Sequence, residues 1–283
     1  MSNVANVPDI ILEPMVRNAI VEDLGAAGDV TTRSVLPEGT RYKAQMRARQ
    51  DAVVSGMQVA SLAFRLIDPD LIVETVVADG TACKAGDTLM CIEGSAASIL
   101  AAERVALNFA GRLSGTATLT ASYVQELAGT KTRITCTRKT TPGLKLVEKL
   151  AILHGGGHNH RFSLSDAILI KDNHIAAAGG IKQVLEAVQR NVGHMVVVEI
   201  EIDGLHQLDE VLQTGGADVI MFDNMSTEDM AEAVKRIDGR AKTEASGNVT
   251  LGRLREIASA NVDYISSGAL THSAGTVDFG LDF

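Results

Sequence analysis

The residues best able to do chemistry lie between Thr137 and Ile175, in the stretch TRKTTPGLKLVEKLAILHGGGHNHRFSLSDAILIKDNHI. Two adjacent cations, Arg138 and Lys139, open it, and a Pro142-Gly143 turn follows. Three glycines then precede His158-Asn159-His160-Arg161, and a short apolar run, Ala167 to Ile170, ends in Lys171. In a parallel α/β fold, residues just past the C-terminal ends of the strands share one crevice. Arg138, Lys139 and Lys171 are therefore expected in one pocket. Like charges grouped in this way repel unless anions occupy the space. The expected ligand is multiply anionic.

The later strand-like runs end in polar residues too. They deliver Glu201 and Asp203, Asp223-Asn224, Ser246-Gly247-Asn248 and Ser267-Gly268. Each Ser-Gly turn alone reads as a helix cap. Two of them on consecutive final strands point instead to a phosphate held by backbone N–H groups. Glu201 and Asp223 could pair with the lysines, bond sugar hydroxyls, or hold Mg²⁺ together with substrate phosphates. This inventory suits a phosphorylated sugar beside a second anionic group. There is no GxxxxGK[ST] loop and no GxGxxG after a strand, which argues against an ATPase or a Rossmann dehydrogenase. His158 and His160, at i and i+2 in a glycine loop, form a weak metal motif. Cys136, beside the cationic pair, reads as a packed thiol rather than a nucleophile.

The elements that must position these groups follow from periodicity. Pro8 to Leu24 shows helical spacing, and the loop EDLGAAGDVTT after it reads as a cap and turn. Short β-rich runs from Tyr42 to Glu93, with a helix over Met57 to Ile67, read as a small α+β domain. Ala97 to Leu127 is Ala-rich and helical, with an interruption expected near Gly111 to Gly115 and with Glu103 and Arg104 on an otherwise apolar stretch. From Thr130 onward six β-α repeats follow. An eight-unit barrel needs about 250 residues, so a reduced or partly open barrel is expected. The predicted architecture is α/β. An N-terminal α+β sandwich domain spans residues 1–112, and an incomplete parallel α/β barrel of about six strands spans 113–269 and carries the site. The tail, 270–283, is expected to return to the first domain.

Composition sets outer limits. The 283 residues are 46% hydrophobic and 22% charged, with a net charge of −9. The acidic balance argues against a nucleic-acid partner, whose binding face is normally basic. Three cysteines without metal-ligand spacing suit reduced thiols in the cytoplasm. No leader and no run of bilayer length is read in the chain, so no membrane partner is expected.

Taken together, TRKTTPGL, GGGHNHR, LIKDNHI, VEIEID, MFDN, EASGN and ISSGALTHS resemble the quinolinate phosphoribosyltransferase family, as do EDLGAAGDVTT and ERVALNF…RLSGTATLT nearer the N-terminus. The likeness runs nearly end to end and in order. It implies phosphoribosyl transfer from phosphoribosyl pyrophosphate to quinolinate with decarboxylation, giving nicotinate mononucleotide, pyrophosphate and CO₂ in NAD biosynthesis, with Mg²⁺ required. It implies a homodimer or larger homo-oligomer in which Arg104 reaches a neighbour's site. Arg104, Arg138, Arg161 and His160 would hold the quinolinate carboxylates, with Thr137 among the contacts. Lys139 and Lys171 would lie between quinolinate and pyrophosphate, and act in catalysis with Glu201 and Asp223, which would also meet ribose hydroxyls and Mg²⁺. Ser246, Gly247, Asn248, Ser267, Gly268 and Ala269 would cradle the 5′-phosphate. Alternatives are a paralogue of the same fold associated with molybdenum transport, a non-catalytic sensor of phosphorylated metabolites, and a barrel aldolase using Lys139 or Lys171 as a Schiff base.

Overall fold

The structure, a computed structural model, describes residues 7–283. Contacts divide it into two units: Met1–Ala121 with Thr140–Gly156 and Ser273–Phe283, and Ser122–Lys139 with Gly157–His272.

The first unit begins with α1 (Asp9–Leu24) and α2 (Val30–Val35). The loop before α2 is the expected cap: Asp29 accepts the Thr32 N–H at 2.9 Å, which satisfies one orphan donor of the first turn. Then come β1 (Arg41–Ala48), β2 (Ala52–Val53), α3 (Met57–Ile67), β3 (Ile72–Thr75), β4 (Ala82–Cys83) and β5 (Thr88–Ser95). In β1 burial alternates along the strand, with Ala44, Met46 and Ala48 facing the core. That is the period of a strand with one covered face. Val59, Leu62, Ala63 and Phe64 of α3 are buried in the same core.

α4 (Ala96–Glu126) is unbroken. The expected interruption at Gly111 to Gly115 is absent, and these glycines serve another purpose. A Cβ on Gly111 would lie 2.6 Å from the Val277 carbonyl oxygen, and one on Gly115 1.8 Å from that of Gly275. The missing side chains let the returning C-terminal chain lie against the helix. That chain ends as β12 (Phe279–Asp282), which pairs antiparallel with β1. α5 (Lys145–His154), which the sequence reading placed among the barrel helices, groups with this first unit, and α4 runs straight through the boundary expected at residue 113.

The second unit holds β6 (Arg133–Thr135), β7 (Ile168–Ile170), α6 (Asp172–Ala178), α7 (Ile181–Asn191), β8 (Val198–Ile202), α8 (Leu205–Thr214), β9 (Val219–Asp223), α9 (Thr227–Ile237), β10 (Lys242–Ser246), α10 (Leu254–Ser259), β11 (Tyr264–Ser266) and α11 (Ala269–His272). Its six strands are parallel, in the order β6-β11-β10-β9-β8-β7. Chain order is followed around the ring, and β6 closes onto β11 but does not pair with β7. This is the incomplete barrel. In the gap, His158 forms an isolated parallel bridge with Thr135 on the free edge of β6. α6 and α11 were not foreseen, because short helices give too few turns for a periodic signal. The longer helices present stripes to the strands: Val184 and Leu185 of α7, Leu208 and Val211 of α8, and Met230, Ala233 and Ile237 of α9 are buried. Among the described residues no helix is long and apolar enough to cross a membrane.

Candidate active site

The C-terminal ends of the barrel strands surround a cavity of about 560 Å³, a size suited to a small ligand. Its walls carry Thr137, Arg138 and Lys139 after β6, His160 and Arg161 from the glycine loop, and Lys171 after β7. Opposite them stand Glu201 on β8, Asp223 and Asn224 at the end of β9, and Ser246, Gly247 and Asn248 at the end of β10, with Ser266 on β11. Leu169 and Met221 are its apolar surface.

Each cation is placed by local bonds. The Lys139 N–H donates to Thr137 Oγ1 at 3.0 Å, and the Lys139 carbonyl accepts from Thr271 Oγ1 at 2.7 Å. Gly268 leaves room for the lysine stem, since a Cβ there would lie 2.8 Å from Lys139 Cδ. Lys171 precedes α6; its N–H donates to His174 Nδ1 at 2.9 Å, and its Nζ donates to Glu201 Oε2 at 2.6 Å. Arg161 donates from Nη1 to the Ala167 carbonyl at 2.9 Å, while its buried Nε has no protein partner. Burial, and then the neighbouring charge of Arg138, hold the Arg161 guanidinium below its ordinary pKa. The loop after it is clamped by Asp166, which accepts from Ser163 and from the Phe162 N–H; these bonds pull its carboxyl down to about 2.

The β9 and β10 ends form a linked turn. Asn224, at φ 55°, donates to Asp223 Oδ2 at 3.0 Å and accepts from Asn248 Nδ2 at 3.0 Å. Gly247 has φ +91°, and a Cβ on it would sit 2.2 Å from Asn224 Oδ1. Glycine is required there on both counts. Consecutive residues at positive φ, Gly247 and Asn248, turn the backbone into the kind of concavity that binds anions.

Not every expected residue reaches this cavity. Ser267 is buried and its N–H donates to the Thr135 carbonyl at 3.0 Å. The wall here is Ser266, and Ser267, Gly268 and Ala269 are not among the lining residues. Arg104, expected to act in a neighbour's site rather than in this one, belongs to the first unit. Its side chain is 64% exposed, 4.0 Å from Glu103, and it lines a separate cavity with Asn108 and Thr276–Phe279. The two histidines of the glycine loop diverge: His158 approaches Arg133 Nη1 at 3.3 Å, and His160 turns toward buried acids. Cys136 is fully buried and its thiol donates to Asn159 Oδ1 at 3.2 Å, a packed position.

Residues 29–114 match the family model "Quinolinate phosphoribosyl transferase, N-terminal domain", and residues 116–282 match its C-terminal domain. The chain belongs to the quinolinate phosphoribosyltransferase family. It is 41% identical over 267 residues to a probable nicotinate-nucleotide pyrophosphorylase (carboxylating) of Synechocystis, covering 93% of this chain and 89% of that one. It is likewise 41% identical to a quinolinate phosphoribosyltransferase (decarboxylating) of Nicotiana tabacum, covering 97% of this chain and 83% of that one. The solved nicotinate-nucleotide pyrophosphorylase of Francisella tularensis superposes with a TM-score of 0.92 at 36% identity, covering 98% of this chain and 97% of that one. The chain is thus a phosphoribosyl-transferring enzyme, and quinolinate is the acceptor for which its family is named.

Next to the wall residue His160, this phosphoribosyltransferase holds a buried acidic pair that no sequence motif announces. Glu199 on β8 and Glu244 on β10 are buried, 5% and 4% exposed. His160 Nε2 lies 2.9 Å from Glu199 Oε2 and 3.6 Å from Glu244 Oε1. The signal was available. Alternate residues of a strand share a face, so Glu199 lies on the side of Glu201, and Glu244 on the side of Ser246. Barrel interiors are usually filled by branched apolar residues. Here Glu199 Oε1 is buried without a hydrogen-bond partner, and Glu244 faces His160 and Ser266. By contrast, Glu148 of the first unit, equally buried, accepts from the Thr141 N–H, Thr141 Oγ1 and Arg112 Nη2.

Burial, and then the charge of Glu199, push the Glu244 carboxyl up from 4.5 to about 7. The folded chain therefore holds a proton that the unfolded chain has released between those values. The stability this contributes is complete below about pH 4.5 and is lost as pH rises through about 7. Glu244→Gln, neutral throughout, is expected to raise the thermal midpoint at about pH 8 more than at about pH 5. Equal shifts at both pH values would show that Glu244 does not titrate in this range.

Proposed function

We propose that this cavity transfers the phosphoribosyl group of phosphoribosyl pyrophosphate to the ring nitrogen of quinolinate, with loss of the adjacent carboxylate as CO₂. The observation that carries the reading is the set of four cations, Arg138, Lys139, Arg161 and Lys171, around one cavity with an unpartnered Arg161 Nε. An unsatisfied buried donor costs about 1–3 kcal/mol, and a carboxylate accepting from the planar guanidinium removes that cost. Leu169 and Met221 offer an apolar contact for the ring. The turn at Gly247-Asn248 receives the 5′-phosphate, as do Ser267, Gly268 and Ala269 if the adjoining loop shifts toward the ligand.

Glu201 and Asp223 end neighbouring strands and present hard oxygen donors to the same cavity. They fit Mg²⁺ shared with substrate phosphates, which when bound would neutralise charge on the departing pyrophosphate. Lys139 and Lys171 stabilise the same leaving oxygens. Glu201 and Asp223 stabilise the positive charge that develops on the ribose as the C1–oxygen bond breaks. The ring nitrogen then bonds to C1 and becomes a pyridinium. This cation takes up the electron pair released when the neighbouring carboxylate leaves as CO₂, and the ring carbon takes a proton. No covalent bond to the protein is needed. Incubation with quinolinate, phosphoribosyl pyrophosphate and Mg²⁺ tests the reading: stoichiometric CO₂ and nicotinate mononucleotide are expected, and tight binding without turnover would favour a metabolite sensor. A cytoplasmic location belongs to the same proposal.

Arg104 is proposed to act in a partner subunit's site within a homodimer or larger assembly. Its exposure on α4 leaves the guanidinium accessible to a second copy. Arg104→Ala and Lys139→Ala are each expected to be inactive alone. Mixed after subunit exchange, they should recover about a quarter of the parent activity, because random pairing of two such protomers rebuilds one intact site in half the dimers. No recovery, with exchange confirmed by mass spectrometry, would reject a shared site.

A further inference from the structure

Arg161 lies in a segment with no helix or strand of its own, between the glycine loop and the clamped loop at Asp166. Its backbone is tied to the barrel interior through the preceding side chain. The Arg161 N–H donates to His160 Nδ1 at 2.8 Å. Because Nδ1 accepts there, the proton of the neutral ring sits on Nε2, and Nε2–H points to Glu199 Oε2 at 2.9 Å. The bonds therefore run from a buried strand carboxylate, through an imidazole of set tautomer, to the backbone of the arginine that faces the cavity.

This arrangement also decides between two readings of the buried group. His160, Glu199 and Glu244 offer ligand atoms within 4.8 Å of one another, close enough to hold a metal ion. A metal needs the lone pair of the ring nitrogen it binds. Here the nitrogen directed at the acids carries the hydrogen, and the other receives the Arg161 N–H. The group is a hydrogen-bond relay. Both ring nitrogens of His160 are thereby engaged inside the protein.

We propose that Glu199 is a positioning residue for the acceptor: through the His160 ring it sets the backbone of Arg161 and so the direction of the guanidinium that receives the acceptor's carboxylate. The inference rests on quinolinate being the acceptor. Glu199 is not among the residues that line the cavity. The carboxylate of Glu199 also favours the charged guanidinium that burial and Arg138 oppose.

The test compares Glu199→Leu with Glu199→Gln, whose amide oxygen can still accept from Nε2–H. Glu199→Leu is expected to raise the KM for quinolinate about 10-fold or more, with the KM for phosphoribosyl pyrophosphate and kcat within about twofold. Glu199→Gln is expected to recover to within about threefold of the parent. Equal changes in both KM values, or no change in either, would overturn the positioning role, as would a Gln variant no better than Leu. A parent chain that bound no quinolinate by calorimetry would instead overturn the acceptor reading beneath it. Should Glu199→Leu fail to fold, nitrogen-15 NMR of the seven histidines in the parent and in Glu199→Gln still decides. The signal lost in His160→Gln must report the Nε2–H tautomer in both; an Nδ1–H tautomer, or a metal-bound signature after addition of Zn²⁺, would overturn the relay.

Discussion

Arg161→Ala is expected to weaken quinolinate binding by about 100-fold or more. Removing one partner of a desolvated charge pair typically costs about 3–5 kcal/mol, and each 1.4 kcal/mol is about one decade of affinity. The structure places this residue for a large effect. Its Nη1 is already committed to the Ala167 carbonyl, its Nε is buried and unpartnered, and it shares the cavity with Arg138. A bound carboxylate satisfies the Nε and relieves the repulsion at once. Lysine cannot substitute, because a point charge on a flexible stem lacks the planar fork and the second donor that holds the Ala167 carbonyl. Calorimetry with quinolinate on the parent, Arg161→Ala and Arg161→Lys decides the matter. Parent-like affinity in Arg161→Ala would remove this arginine from the acceptor site.

The second large effect is expected at Lys171. Lys171→Ala should lower kcat by about 100- to 1,000-fold, the range for losing one preorganised group that stabilises charge in a transition state. The Lys171 ammonium sits 2.6 Å from Glu201, whose side chain is only 13% exposed. Truncation therefore does two things: it removes the cation proposed to meet the departing pyrophosphate, and it leaves the Glu201 charge without its Lys171 partner. Double replacement, Lys171→Ala with Glu201→Gln, read against Glu201→Gln alone, separates these. If repulsion by the orphaned glutamate dominates, Lys171→Ala costs much less in the Glu201→Gln background than in the parent; if the lysine acts mainly on the leaving group, it costs the same in both. Single-turnover kinetics at saturating substrates gives the rate directly, and a kcat within about threefold of the parent would show that Lys171 has no part in the chemical step.

These two residues differ in how visible they were. Lys171 ends a short apolar run, so its place at a strand end follows from one-dimensional pattern alone. So do Arg138, Lys139, Glu201, Asp223 and the Ser246-Gly247-Asn248 turn, all of which meet at one cavity. In a parallel barrel each strand delivers its next residues to the same mouth, so strand boundaries plus parallel order are nearly a site map. The same logic leaves Ser267, Gly268 and Ala269 outside the residues that line the cavity. β11 ends at Ser266, and the N–H of the next residue, Ser267, is spent on the Thr135 carbonyl, which a pattern cannot show.

What the linear chain determined by itself is the alternation of strands and helices, the barrel reduced to six strands, and the concentration of cations in an acidic protein. Those are consequences of period and of composition, which are local. What only the tertiary structure decided is how distant residues share space. α4 stays unbroken through Gly111 and Gly115 because a returning chain fills the room their side chains would take. Glu199 and Glu244, 45 residues apart by number, meet His160 beneath the cavity because strand pleating turns alternate residues inward and the barrel brings β8 and β10 around the same interior. Proximity of that kind depends on closure of the sheet, and no local propensity encodes it.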